Sequence, residues 1–282
     1  MIHWLHRPKS PLVAMFVECY WMIEKKHGAE RAQFPKLNPD PSAHLIISPA
    51  TQPYSYDVDG VCASGVGSHL LFPYLHTYQL DHSQPFIHLG IKFKVGALYS
   101  AVLPNQSHPR LNQIEPINFP ALILQTDLNI SCLLNLARSN EKACSERLDN
   151  LLVPWLSQFK PDRYSELTSR ALQILDSAVI AEMGKTLHCS QRTLERTFSK
   201  VTGITLKQCQ SMNRLEAMLE YLAPLSKEEI NWVDVAFKFG FSDQPHLIRY
   251  LKSQLGLTPN TYAKERGLTI DIYGGITGLK AK

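Results

Sequence analysis

Several common signals are missing from this chain of 282 residues. No run of about 18 apolar residues is present to span a bilayer. No basic segment followed by an apolar core marks a secretory signal. The six cysteines, Cys19, Cys62, Cys132, Cys144, Cys189 and Cys209, are scattered, without a C-x-x-C pair or a Cys/His run at metal-binding spacing. They read as reduced thiols of a cytoplasmic protein. No nucleophile elbow and no glycine-rich phosphate loop occurs. His44, His69, His76, His82 and His88 form no H-x-H or H-x-x-x-H pair among themselves. These absences argue against an enzyme, a metal and a cofactor. Strong charge is missing as well. The net charge is +4, and most of that excess lies after residue 175. Such a balance permits a polyanionic partner without demanding one.

What is present divides the chain. Residues 1–120 hold short apolar runs between turn signals, such as "HLIISP", "HLLFPYLH" and "PFIHLGIKFKVG". In the last, Ile87, Leu89, Ile91, Phe93 and Val95 alternate with His88, Gly90, Lys92 and Lys94. Period two predicts a half-buried strand, and the segment reads as a β-rich, barrel-like or sandwich domain with a few helices. From 121 to 175 glycine is absent and leucine recurs at helical intervals, at Leu133, Leu136, Leu148, Leu151, Leu152 and Leu156. Pro154 and Pro161 mark expected breaks. Residues 121–160 read as a helical connector whose stripe serves either a homodimer contact or its own neighbours. Residues 161–265 are helical, and 266–282 read as a loosely held tail. The fold class is therefore α+β with an all-α C-terminal domain.

That domain repeats itself. "SQRTLERTFSKVTGITL" at 190–206 aligns with "DQPHLIRYLKSQLGLTP" at 243–259 at an offset of 53. Gln191, Leu194, Arg196, Gly203 and Thr205 fall on Gln244, Leu247, Arg249, Gly256 and Thr258. Ser190 and Asp243 are suited to cap a helix, its inner face carries Leu194 and Phe198 or Leu247 and Leu251, and glycine closes it. Pro245 sits in the first turn, where a missing N–H costs nothing. A shorter helix precedes each copy, with Gly184 and Ala236 small enough for a close crossing. Met212, Leu215, Leu219 and Leu222 make one face of a helix that joins the copies. Two units of helix, tight turn and crossing helix are helix-turn-helix architecture. One such helix reads a few base pairs, and a second joined to it reaches the next major groove about 34 Å along the duplex.

The stretch "SQRTLERTFSKVTGIT" followed by "GFSDQPHLIRYLKSQLGLTPNTY" resembles the DNA-binding domain of AraC-type transcriptional regulators. The resemblance runs from about residue 165 to 263. It implies a bacterial regulator whose partners are double-stranded promoter DNA and RNA polymerase. More weakly, "HLGIKFKVGALYSAVL" resembles the strand, turn and helix of the sensing half of some members. Pro245 and Glu195 depart from the contact residues usual in the family.

Position on the two helices assigns roles. Arg192, Glu195 and Arg196 on the first, and Gln244, His246, Ile248 and Arg249 on the second, are expected to face bases. Arginine pairs with guanine O6 and N7, glutamate accepts from cytosine N4, glutamine suits adenine and isoleucine meets a thymine methyl. Gln191, Lys200 and Lys252 are expected at phosphates. An effector pocket in the N-terminal domain would draw on Phe72, Tyr74, Tyr78, Phe86 and Phe93, although residue by residue these read more readily as plain core. Two other classes compete: a cupin-like metalloenzyme built on the histidines, and a helical module that binds protein instead of DNA.

Overall fold

The computed structural model describes residues 2–28, 33–101, 109–222, 224–265 and 269–270. The N-terminal half runs β1 (Ile2–His6), α1 (Pro11–Phe16), β2 (Val17–Lys25), β3 (Lys36–Leu37), β4 (His44–Ile47), β5 (Pro53–Val58), β6 (Val61–Val66), β7 (His69–Leu71), β8 (Tyr78–Leu80) and β9 (Phe86–Phe93). A 3-10 turn over Ala97–Ser100 and strand β10 (Ile114–Pro116) complete it. One sheet has the order β1-β2-β9-β4-β7-β10. The second contains β3, β8, β5 and β6, and the short pair Thr269–Ile270 lies parallel to β3 at its edge. Among the described residues neither sheet closes on itself. The barrel expectation thus gives way to two layers packed face to face.

Strand β9 explains the layering. It lies between β2 and β4, and its odd positions Leu89, Ile91 and Phe93 enter a core shared with helices. The even positions do not meet water as a half-buried strand would, because His88 and Lys92 are buried. A second core, of Trp21, Ile23, Leu37, Ile46, Tyr54, Tyr56, Leu71 and Tyr78, covers that face of the sheet. Trp21 lies across Gly90, where an added Cβ would fall 1.9 Å from the indole. Glycine is required there by close packing alone.

Three helices form a third layer: α2 (Phe119–Leu122), α3 (Ile130–Ser139) and α4 (Glu141–Leu156). Leu133, Leu148, Leu151, Leu152 and Leu156 of the leucine stripe are buried in the first core, together with Trp155. Burying each leucine is worth about 1.5–3 kcal/mol, so the stripe is occupied within this chain. Polar ties fix the layer. Asp149 accepts from Tyr20 Oη at 2.7 Å and from the N–H groups of Lys9 and Ser10 at 2.8 and 2.9 Å. Trp4 Nε1 donates to the Ala137 carbonyl. Pro154 lies in the last turn of α4 and does not break it, since the helix ends two residues later.

The C-terminal half runs α5 (Arg163–Ile174), α6 (Met183–Thr186), α7 (Gln191–Thr202), α8 (Leu206–Leu222), α9 (Trp232–Lys238), α10 (Gln244–Leu255) and α11 (Pro259–Glu265). Asp162 and Ser165 cap α5 reciprocally. Helix α8 serves two cores. Leu206, Cys209 and Met212 pack with Leu194 and Phe198, whereas Leu215, Met218, Leu219 and Leu222 pack with Leu247, Leu251 and Tyr262. It is therefore the rod that sets the two repeats relative to one another. Among the described residues no helix is long and apolar enough to cross a membrane.

Candidate nucleic-acid interface

The repeat survives in detail. Ser190 Oγ accepts from the Thr193 N–H at 3.1 Å, and Asp243 Oδ1 from the His246 N–H at 2.7 Å. Gly203 and Gly256 end α7 and α10 in the left-handed region, at φ 80 and 68 degrees. In the turns, the Cys189 N–H donates to Gly184 O and the Phe241 N–H to Ala236 O, both at 2.9 Å. The left-handed turn residues are His188 and Gly240. Through each turn the copies correspond at an offset of 52, and from the cap onward at 53. Ser242 is the extra residue. It is exposed at the entrance to α10, within 3.3 Å of both Asp243 and His246. Only the difference in turn length signals it in the sequence.

Small residues let the helices cross. A Cβ on Gly184 would lie 2.8 Å from the Gln191 backbone nitrogen, so α6 and α7 touch there. Leu194, Phe198 and Val201 of α7 are buried, as are Leu247, Leu251 and Leu255 of α10. The opposite faces are open. Arg192, Glu195 and Arg196 are exposed on α7, and Gln244, Pro245, His246, Arg249 and Lys252 on α10. Ile248 is half-buried. Among the described residues Arg192, Arg196 and Arg249 have no ion-pair partner.

Two of the expected phosphate contacts have other work. Gln191 Oε1 accepts from the Gly184 N–H at 3.1 Å, and its Nε2 donates to Glu195 at 2.9 Å. It thus locks the turn and steadies the carboxylate of Glu195. Lys200 places Nζ 3.5 Å from the centre of the Tyr164 ring. Together with Arg163, that ammonium holds the Tyr164 hydroxyl below its ordinary range, the hydrogen bond from Arg163 being the larger cause.

The five aromatic pocket candidates are divided between the cores. Phe72 and Phe93 belong to the helix-side core, and Tyr74, Tyr78 and Phe86 to the inter-sheet core. None of them lines the cavity of about 1000 Å³ between the two halves, whereas Phe72 and Phe86 each line a small pocket. His44, His69, His82 and His88 are buried, His76 is exposed, and among the described residues no group of three or more His, Cys, Asp or Glu is placed to hold a metal ion.

Residues 183–265 match the model of a helix-turn-helix domain. The C-terminal third is an AraC-type helix-turn-helix domain. That domain makes the chain a DNA-binding transcriptional regulator. Among solved structures the whole chain is similar to a variant of ToxT from Vibrio cholerae strain SCE256 in its apo form, at 10% identity over 92% of this chain and 99% of that one, with a TM-score of 0.50. That likeness extends to the fold alone. The C-terminal domain of AraT, a response regulator from Geobacillus stearothermophilus, is 22% identical over 42% of this chain and 98% of that one, with a TM-score of 0.34. Among curated proteins none matches.

Proposed function

We propose that this regulator reads two adjacent major grooves of one promoter, the first with α7 and the second with α10, and that a small effector biases its hold on DNA. One observation carries the two-groove reading. Two capped helices share a single rod, α8, and each presents an exposed arginine at the equivalent position, Arg196 and Arg249. A rigid pair of this kind supplies within one chain what a two-fold dimer supplies with two. Base reading falls to Arg192, Glu195 and Arg196, and to Gln244, His246, Ile248 and Arg249. The half-buried Ile248 offers only an edge to a thymine methyl. Lys252 remains a phosphate contact, whereas Gln191 and Lys200 contribute by holding the first unit in shape. RNA polymerase is the partner such a bound regulator addresses.

The test is selection of duplex from a random pool by the full chain, followed by titration of a labelled winner. Arg196→Ala is expected to weaken specific binding by about 1–3 kcal/mol with the fold intact by circular dichroism. Unchanged affinity, or no selected sequence, rejects the reading. Effector control is tested separately, because a ligand bound only by the native state raises its melting temperature.

A further inference from the structure

The halves of the molecule meet along a seam, and the seam holds an open cavity of about 1000 Å³. The N-terminal half supplies Phe16, Glu18, Lys92 and Val95, and the C-terminal half supplies faces of α5 and α8. On α8, Asn213, Glu216, Ala217 and Glu220 recur at helical spacing along the wall. The apolar lining includes Phe16, Val95, Leu172, Val201 and Ala217. A space of this size, with an apolar floor beneath a polar and charged wall, has room for a small molecule.

Its charge selects the ligand. The wall carries the carboxylates of Glu18, Glu166, Asp176, Glu216 and Glu220 against the cations of Lys92, Lys94 and Arg170. Lys92 is buried, and its charge is already engaged by Asp40 at 3.4 Å and by Glu216 at 3.2 Å. An organic anion entering here would meet an acidic wall and a lysine that already has partners. The hydroxyl of Thr168, in a residue only 1% exposed on the same wall, has no hydrogen-bond partner among the described residues. Burying such a group unpaired is costly, and a donor or acceptor on a ligand would satisfy it. Burial pushes the Glu216 carboxyl up to about 7 even with Lys92 at 3.2 Å, and a cation brought beside it would favour its charged form.

We infer that the seam cavity is the effector site and takes an organic cation, an amine or amidine on an apolar body, with its charge against Glu216 and Glu220 and its body on the floor of Phe16, Val95 and Leu172. This assignment rests on the regulator reading only for its consequence. A ligand that spans the seam contacts α5 and α8, the helices on which the reading units are mounted, and so shifts the presentation of α7 and α10.

Binding is measured on the full chain without DNA, so its outcome is independent of whether the two-groove reading holds. The probes are decylamine, decanol and decanoate, matched in body and different only in head group, followed by thermal shift and calorimetry. Decylamine is expected to bind at least about tenfold more tightly than decanoate, with decanol between, as a charge-matched contact in a partly buried site allows. The double variant Glu216→Gln and Glu220→Gln is expected to lose at least about tenfold in decylamine affinity and to keep its decanol affinity, which also reports an intact cavity. Should that variant fail to fold, Glu220→Gln alone is expected to lose at least about threefold for the amine and nothing for the alcohol. Decanoate binding as tightly as decylamine, loss of amine and alcohol together, or no binding of any of the three overturns the assignment. Anisotropy of a selected duplex, read with and without decylamine, then tests the coupling.

Discussion

The two helix-turn-helix units share a plan and differ in what holds them. The first is pressed against the N-terminal half. A Cβ on Gly203 would lie 2.9 Å from Pro109, one on Gly96 would lie 2.9 Å from Val201, and Tyr99 Oη donates to Asp162 at 3.1 Å. The second unit hangs from α8. A hydrogen bond from Thr77 Oγ1 to Gln254 O, at 2.7 Å, reaches it from the N-terminal half, and nothing described would meet a Cβ on Gly256 within 4 Å. Its helix α9 leaves Val233 and Phe237 exposed. The same local sequence code thus builds one unit coupled to the N-terminal half and one mounted on the rod.

Predictions follow that contrast, from the largest effect downward. Arg196→Ala and Arg249→Ala should each weaken specific DNA binding by about 1–3 kcal/mol, measured by titration at fixed salt. Matched losses support equal reading by the two units, and a loss at one alone breaks the symmetry. Gly203→Ala should cost about 2 kcal/mol of stability, from a left-handed backbone and crowding against Pro109. Gly256→Ala should cost about 1 kcal/mol, from the backbone alone. Denaturant melts of both variants compare the couplings, and equal costs would remove the distinction drawn here. Ser190→Ala and Asp243→Ala should each cost about 1 kcal/mol through the lost cap, seen in the same melts. Lys252→Ala should reduce the salt slope of DNA binding by about 1. Lys200→Ala should leave that slope unchanged and lower stability only slightly, through the lost contact with Tyr164.

The C-terminal domain is legible in the sequence because its signals are local. A cap, an i and i+4 apolar pair and a closing glycine each act within one or two turns, and all appear where the spacing places them. The N-terminal half is legible in composition and not in layering. Alternation in 86–93 reports that one face is apolar, but it cannot report that a second sheet covers the other. His88, Gly90 and Lys92 therefore read as a solvated face, although Trp21, which packs on Gly90, and Asp40 and Glu216, which pair with Lys92, come from distant stretches of sequence. The same limit applies to the site. Exposure of Arg192, Arg196 and Arg249 follows from helical phase, whereas the engagement of Gln191 with the turn and of Lys200 with Tyr164 depends on packing that no spacing encodes. The aromatic pocket candidates stand out by residue type, and residue type alone does not separate the lining of a cavity from the filling of a core.

Hydroxyl-radical footprinting of the full chain on a selected duplex tests the central claim most directly. The account predicts two protected patches on one face, about one helical turn apart, with Arg196→Ala erasing one and Arg249→Ala the other. A single patch, or two patches that both variants weaken alike, would contradict it.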